Sequence, residues 1–92
     1  PLQSVRLGGK IRLSGSFGVF LAGHLVAHFY NEHGSSLGTI AIANVTPAEP
    51  VVLETEVDPP GKPARVSLHV EDDHGVDWGS LQEVQVGGGD NR

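Results

Sequence analysis

The chain has no cysteine in its 92 residues, so neither a disulfide nor a thiolate metal site can hold it together. It is also short of charge: Asp, Glu, Lys and Arg are 18% of residues, against about 25% for an average soluble domain. Positive charge is scarcest, at six residues in a net charge of −5. Those six (Arg6, Lys10, Arg12, Lys62, Arg65 and Arg92) are scattered. No basic stripe exists to neutralise phosphates, which argues against nucleic acid and against an anionic membrane surface as partners. Long apolar runs are missing too. The longest, residues 17–27, spans 11 positions and contains His24 and two glycines, too short to cross a bilayer, so no membrane insertion is expected. Helical periodicity is absent throughout, and no G-x-S-x-G nucleophile elbow occurs.

What is present in excess is glycine, 13 residues, together with β-branched residues in alternating runs. That combination points to short strands and tight turns. One stretch is written twice. Residues 26–40, VAHFYNEHGSSLGTI, overlie residues 67–81, SLHVEDDHGVDWGSL, at a shift of 41 positions. His28 falls on His69, His33 on His74, Gly34 on Gly75, Leu37 on Trp78 and Gly38 on Gly79. Each copy reads as an alternating strand, a polar turn ending in His-Gly, and a returning strand that opens near a glycine. A β-bulge is expected at Gly38 and again at Gly79.

Read in order, Val5, Leu7, Ile11 and Leu13 share odd parity, which predicts one long strand, bulged at Gly8-Gly9, over a two-residue hairpin turn there. A strand follows from about residue 21 to 30, with Leu25, Ala27 and Phe29 inward and His24, Val26, His28 and Tyr30 outward. Its return runs over 37–45 with Ile40 and Ile42 inward. Pro47 and Pro50 end it, and residues 51–57 alternate again. After the turn DPPGKP at 58–63, strands are expected at 64–71 and from 77 to about 86. The fold class is all-β: an antiparallel sandwich of six or seven strands, immunoglobulin-like or fibronectin type III-like, with pseudo-repeated hairpins at about 21–45 and 64–86. One domain is expected over 1–86. GGGDNR reads as a Gly-rich tail or linker over 87–92, and with Pro1 opening the chain the expectation is a module of a larger protein.

The segment Ala27-His28-Phe29-Tyr30-Asn31-Glu32-His33-Gly34, followed by Leu37-Gly38-Thr39, resembles a pattern of bacterial envelope sandwiches, including the FxLYD-type group. Those domains carry an aromatic strand ending in an FYD-x-x-G turn and then LGT. Asn31 stands where their acidic residue sits, and no leucine precedes Tyr30. The resemblance covers about half the chain and implies an extracellular or cell-envelope, non-enzymatic accessory module.

Five histidines invite a metal reading. His24 and His28 share a strand face but stand about 13 Å apart at the rise of a strand, too far to share a zinc ion. His28 and His69 are equivalent positions on adjacent strands, with Tyr30, Arg65 and Glu71 nearby. Only two nitrogens and no clear third ligand are visible, so this reads as a polar strand face with no metal and no cofactor. His33 and His74, with Glu32, Asp72, Asp73 and Asp77, sit in turns expected at opposite poles. Glu54 and Glu56 share a strand face without a cleft, which does not favour glycosidase chemistry. Trp78 aligns with Leu37 and is expected to pack in the core or at its rim. The functional expectation is a non-catalytic spacer or protein-interaction module, with His24, His28, Tyr30, Arg65, His69, Glu71 and Trp78 as the ligand or partner face. Its partner would be another protein or neighbouring domains of the same chain. A carbohydrate-binding accessory domain, using Tyr30 or Trp78, is the first alternative, and metal-assisted self-association through His28 and His69 the second.

Overall fold

Period-two alternation turns one side of a strand to the core and the other away from it, and the sixth strand turns its even positions inward. In RVSLHVE, Val66, Leu68 and Val70 are fully buried. The structure, a computed structural model, describes residues 1–87. These form seven strands: β1 (Gln3–Leu7), β2 (Lys10–Phe17), β3 (Gly23–Tyr30), β4 (Ser36–Val45), β5 (Val51–Val57), β6 (Arg65–Glu71) and β7 (Asp77–Gln85). Two antiparallel sheets, ordered β1-β2-β5 and β4-β3-β6-β7, face each other. The 17 Å short dimension of the molecule is what two sheets stacked about 10 Å apart occupy. Between them lie Leu2, Ile11, Leu13, Leu25, Ala27, Phe29, Leu53, Val66, Leu68 and Val70. Each large apolar side chain among them stabilises the fold by about 1.5–3 kcal/mol relative to exposure.

The repeat becomes a local twofold axis. Ala27 pairs with Leu68, its own counterpart, and the register runs outward from there to Tyr30↔Arg65 and His24↔Glu71. Both expected bulges are present. Phe29 pairs with Gly38 but Tyr30 with Ser36, and His69 pairs with Ser80 but Glu71 with Asp77. Gly38 and Gly79 take φ of 132° and 104° there. The two turns are also built alike. Asn31 Oδ1 accepts hydrogen bonds from the His33 and Ser35 N–H groups, and Asp72 Oδ1 accepts them from His74 and Val76.

One expectation needs correction. Residues 3–17 are not one bulged strand: Leu7 pairs with Lys10 and Val5 with Arg12 across a two-residue turn at Gly8-Gly9. Gly8 sits at φ 62°, as the first central residue of a II′ turn must. Parity misled because β1 turns its even positions inward. Leu2 and Ser4 are buried, while Val5 and Leu7 are half-exposed beside cationic neighbours. Gly87, the first residue of the expected tail, is hydrogen-bonded to β1. The Gly87 N–H donates to Ser4 O at 2.9 Å, and the Arg6 N–H donates to Gly87 O at 2.8 Å. A parallel bridge thus joins Val5 to Gly87; the rest of the expected tail, 88–92, lies outside the described residues.

Candidate functional site

The outward positions of β3 and β6 put His24, Val26, His28 and Tyr30 beside Glu71, His69, Ser67 and Arg65. Their side chains separate into three groups along the sheet. At one end the Arg65 guanidinium lies 4.4 Å above the Tyr30 ring and pairs with Glu83. At the other, His24 Nδ1 is 2.8 Å from Asn44 Oδ1, and its Nε2 is 3.2 Å from Asp73 Oδ1.

The middle group is the densest. His28 pairs with Ser67 and His69 with Val26, which makes the histidines diagonal neighbours on one face. Their rings stack, with centroids 3.9 Å apart and planes 24° from parallel. Val26 and Ser67 beneath are buried, and Ser67 Oγ lies 2.9 Å from Ser80 Oγ. The histidine side chains are themselves only 17% and 14% exposed, so the centre of this face is not a freely solvated strand surface.

Asp77 completes the group. His69 Nδ1 is 2.9 Å from its Oδ2 and 3.0 Å from its Oδ1, and the Gly79 N–H donates to Oδ1 at 2.8 Å. His28 Nε2 is 4.0 Å from Asp77 Oδ2 and 3.9 Å from Glu71 Oε2. It is buried and has no hydrogen-bond partner. Burial pushes the Asp77 carboxyl up, but the Gly79 N–H and the His69 ring outweigh this and hold it below its ordinary value. His28 is lowered, first by burial and then by the charge of His69, against the opposing pull of Asp77 and Glu71. One donor atom from each of His28, His69 and Asp77 lies within 4.8 Å of the others.

The structure therefore brings His28 and His69 together as the repeat implied and adds an acidic neighbour that the sequence reading placed with the turn. The signal was Gly79. Its bulge brings Asp77 opposite Glu71, two residues along β6 from His69. His33 and His74 do lie at opposite poles, since β3 and β6 are antiparallel and each turn follows its own strand. Glu56 pairs with Arg12 at 3.5 Å on the other sheet.

Trp78 departs from expectation: it is 55% exposed rather than packed. Its counterpart Leu37 is half-buried because the linker between β5 and β6 lies on it, with Gly61 against its side chain and Pro60 against Gly38. Gly79, the counterpart of Gly38, has open space where a Cβ would stand. The uncovered indole is still held in place, its Nε1–H donating to Asp72 Oδ2 at 2.9 Å. Comparison with protein-family models, curated proteins and solved structures finds no match to this chain.

Proposed function

We propose that this chain is a non-catalytic interaction module of an extracytoplasmic protein, and that it contacts a protein partner through the pole that carries Trp78. The observation that carries this is the broken symmetry of the repeat. The indole stands open where its counterpart Leu37 is covered, yet Asp72 fixes its orientation. Phe20 and Val76, 57% and 49% exposed, belong to the same pole, where β3 begins and β6 ends. An anchored tryptophan with apolar neighbours suits the centre of a protein contact. Asp72 is bonded to it, and Asp73 lies in the same turn, so charge complementarity favours a partner segment that is basic as well as apolar.

The extracytoplasmic setting is supported by the resemblance of the first hairpin to envelope sandwiches. The same reading takes the fold as fibronectin III-like. Strand β4 pairs with β3, not with β5, whereas the immunoglobulin constant arrangement puts four strands in the other sheet.

Because the chain has one tryptophan, its fluorescence reports this surface alone. Titration with a Lys/Leu-rich peptide should move the emission to shorter wavelength, reversibly with salt. A Glu/Leu peptide should leave it unchanged, and Asp73→Asn should weaken the response. The exposed, hydrogen-bonded indole beside carboxylates also supports a second reading, stacking on a sugar ring. Quenching by a soluble oligosaccharide, with no response to the basic peptide, would replace the first reading with the second. Silence to both would leave a spacer and overturn the contact surface.

A further inference from the structure

We infer that His28, His69 and Asp77 form a binding site for a zinc-class divalent transition metal, clipping β3, β6 and β7 together. This stands apart from the Trp78 contact surface and does not depend on it. Three donors of the right chemistry converge, two imidazole nitrogens and one carboxylate, a set that suits zinc, copper or nickel and not the oxygen-seeking calcium or magnesium. Zinc holds nitrogen at about 2.0–2.1 Å and carboxylate oxygen at about 2.0–2.2 Å. Tetrahedral ligands at such lengths stand roughly 3.3 Å apart. Here His28 Nε2 must close on Asp77 Oδ2 from 4.0 Å, and His69 Nδ1 must open from 2.9 Å. Both movements are below an ångström, and the two rings must also turn out of their stacked arrangement, 24° from parallel, so that each in-plane lone pair meets the ion.

A second observation points the same way independently. His28 Nε2 is buried with no hydrogen-bond partner, and an orphaned buried nitrogen is costly unless something satisfies it. Serine or threonine at position 28 would have suited an ordinary polar strand face. An orphaned imidazole nitrogen within about 4 Å of an oriented carboxylate, beside a second imidazole bonded to that carboxylate, brings together the donors such a site needs. The carboxylate is already oriented by the Gly79 N–H on Oδ1, in the manner of the outer hydrogen bonds that aim metal ligands.

To ligate through Nδ1, the neutral His69 ring would carry its single proton on Nε2, so that the Nδ1···Asp77 contact would be exchanged for one bond from each group to the metal. Glu71, whose Oε2 stands 3.9 Å from His28 Nε2, adds a second carboxylate beside the three donors. The chain has no disulfide to restrain β6–β7 against β3, and the ion supplies a cross-link among three strands.

The test adds zinc alone, and separately cobalt(II) as a spectroscopic substitute, to the full chain in a non-chelating buffer. One equivalent should shift the ring resonances of His28 and His69 and leave those of His33 in place. Cobalt should give the intense visible bands of a four-coordinate site. At about a hundredfold excess over Kd the melting temperature should rise by roughly 10–20 °C, while calcium and magnesium do nothing. His28→Gln and Asp77→Asn should each weaken binding more than about tenfold, and His33→Ala should leave it unchanged. The wild-type resonances decide the matter even if a variant fails to fold. Stoichiometric zinc that leaves His28 and His69 unmoved, or perturbs His33 and His74 instead, overturns the site. So does undiminished affinity in Asp77→Asn.

Discussion

Replacing Gly23 by alanine should separate sheet geometry from backbone preference with one methyl group. A Cβ at Gly23 would stand 2.2 Å from the Glu71 carbonyl oxygen, 3.1 Å from the Glu71 carbonyl carbon and 3.2 Å from Asp72 Cα. Even the close C–H···O contacts of sheets lie at about 3.3–3.6 Å, so roughly an ångström must be found. Nothing soft can supply it, because every atom met is backbone. The strain falls where His24 pairs with Glu71, at the end of β3 that also brings His24 to Asp73. Overpacking of this kind costs about 1–3 kcal/mol, while the stiffer unfolded chain returns about 0.4–1 kcal/mol. Gly18→Ala is the matched control. Neither glycine has a positive φ, and Gly18 has nothing within 4 Å of the added methyl. Urea denaturation followed by circular dichroism should lower the midpoint of Gly23→Ala by about 1 M and raise that of Gly18→Ala slightly. Equal midpoints for the two variants would refute the claim that β3 starts under backbone contact.

Phe29, fully buried at the centre of the core, should lose about 3–5 kcal/mol on truncation to alanine, a large part of the roughly 5–14 kcal/mol available to a domain of this length. A loss below about 1 kcal/mol in the same denaturation assay would mean the two sheets do not close over it. Asp72 titrates below its ordinary 3.8, chiefly through the Trp78 indole and then the Val76 N–H. A lowered carboxyl stabilises the fold above its unfolded value and loses that contribution as pH falls through the folded one. Wild-type stability should therefore decline below about pH 4 by a component that Asp72→Asn lacks. Parallel pH–stability curves for the two proteins would show that the turn does not depend on the carboxylate.

Much of the fold was legible because the repeat and the alternation state the same pattern independently. The shift that aligns His28 with His69 also aligns Asn31 with Asp72 and Gly38 with Gly79, and each pair does the same structural task. Residues 3–17 misled for a physical reason. A two-residue reversal changes which parity faces inward, and Val5 and Leu7 are apolar residues on the wetter side, so alternation alone read straight through the turn. Asp77 and Trp78 were harder still. One reaches its histidine through a bulge, and the other is exposed because the β5–β6 linker covers only one of two equivalent hairpins. The first is signalled within β7 only by Gly79, and the second does not reside in the local sequence of β7 at all.

The short parallel bridge between Val5 and Gly87 has a mechanical consequence. Residue 87 leaves beside the middle of β1, and Pro1 lies against Gly15 at the far end of that sheet. Tension applied between these points would pull β1 and the segment at Gly87 past each other along their length. The bonds Arg6 N–H to Gly87 O and Gly87 N–H to Ser4 O would then bear load together in shear, where a hairpin pulled from its open end gives way one bond at a time. A clasp of two hydrogen bonds sets the order in which the sandwich yields: it holds until both break, and only then does β1 peel from β2.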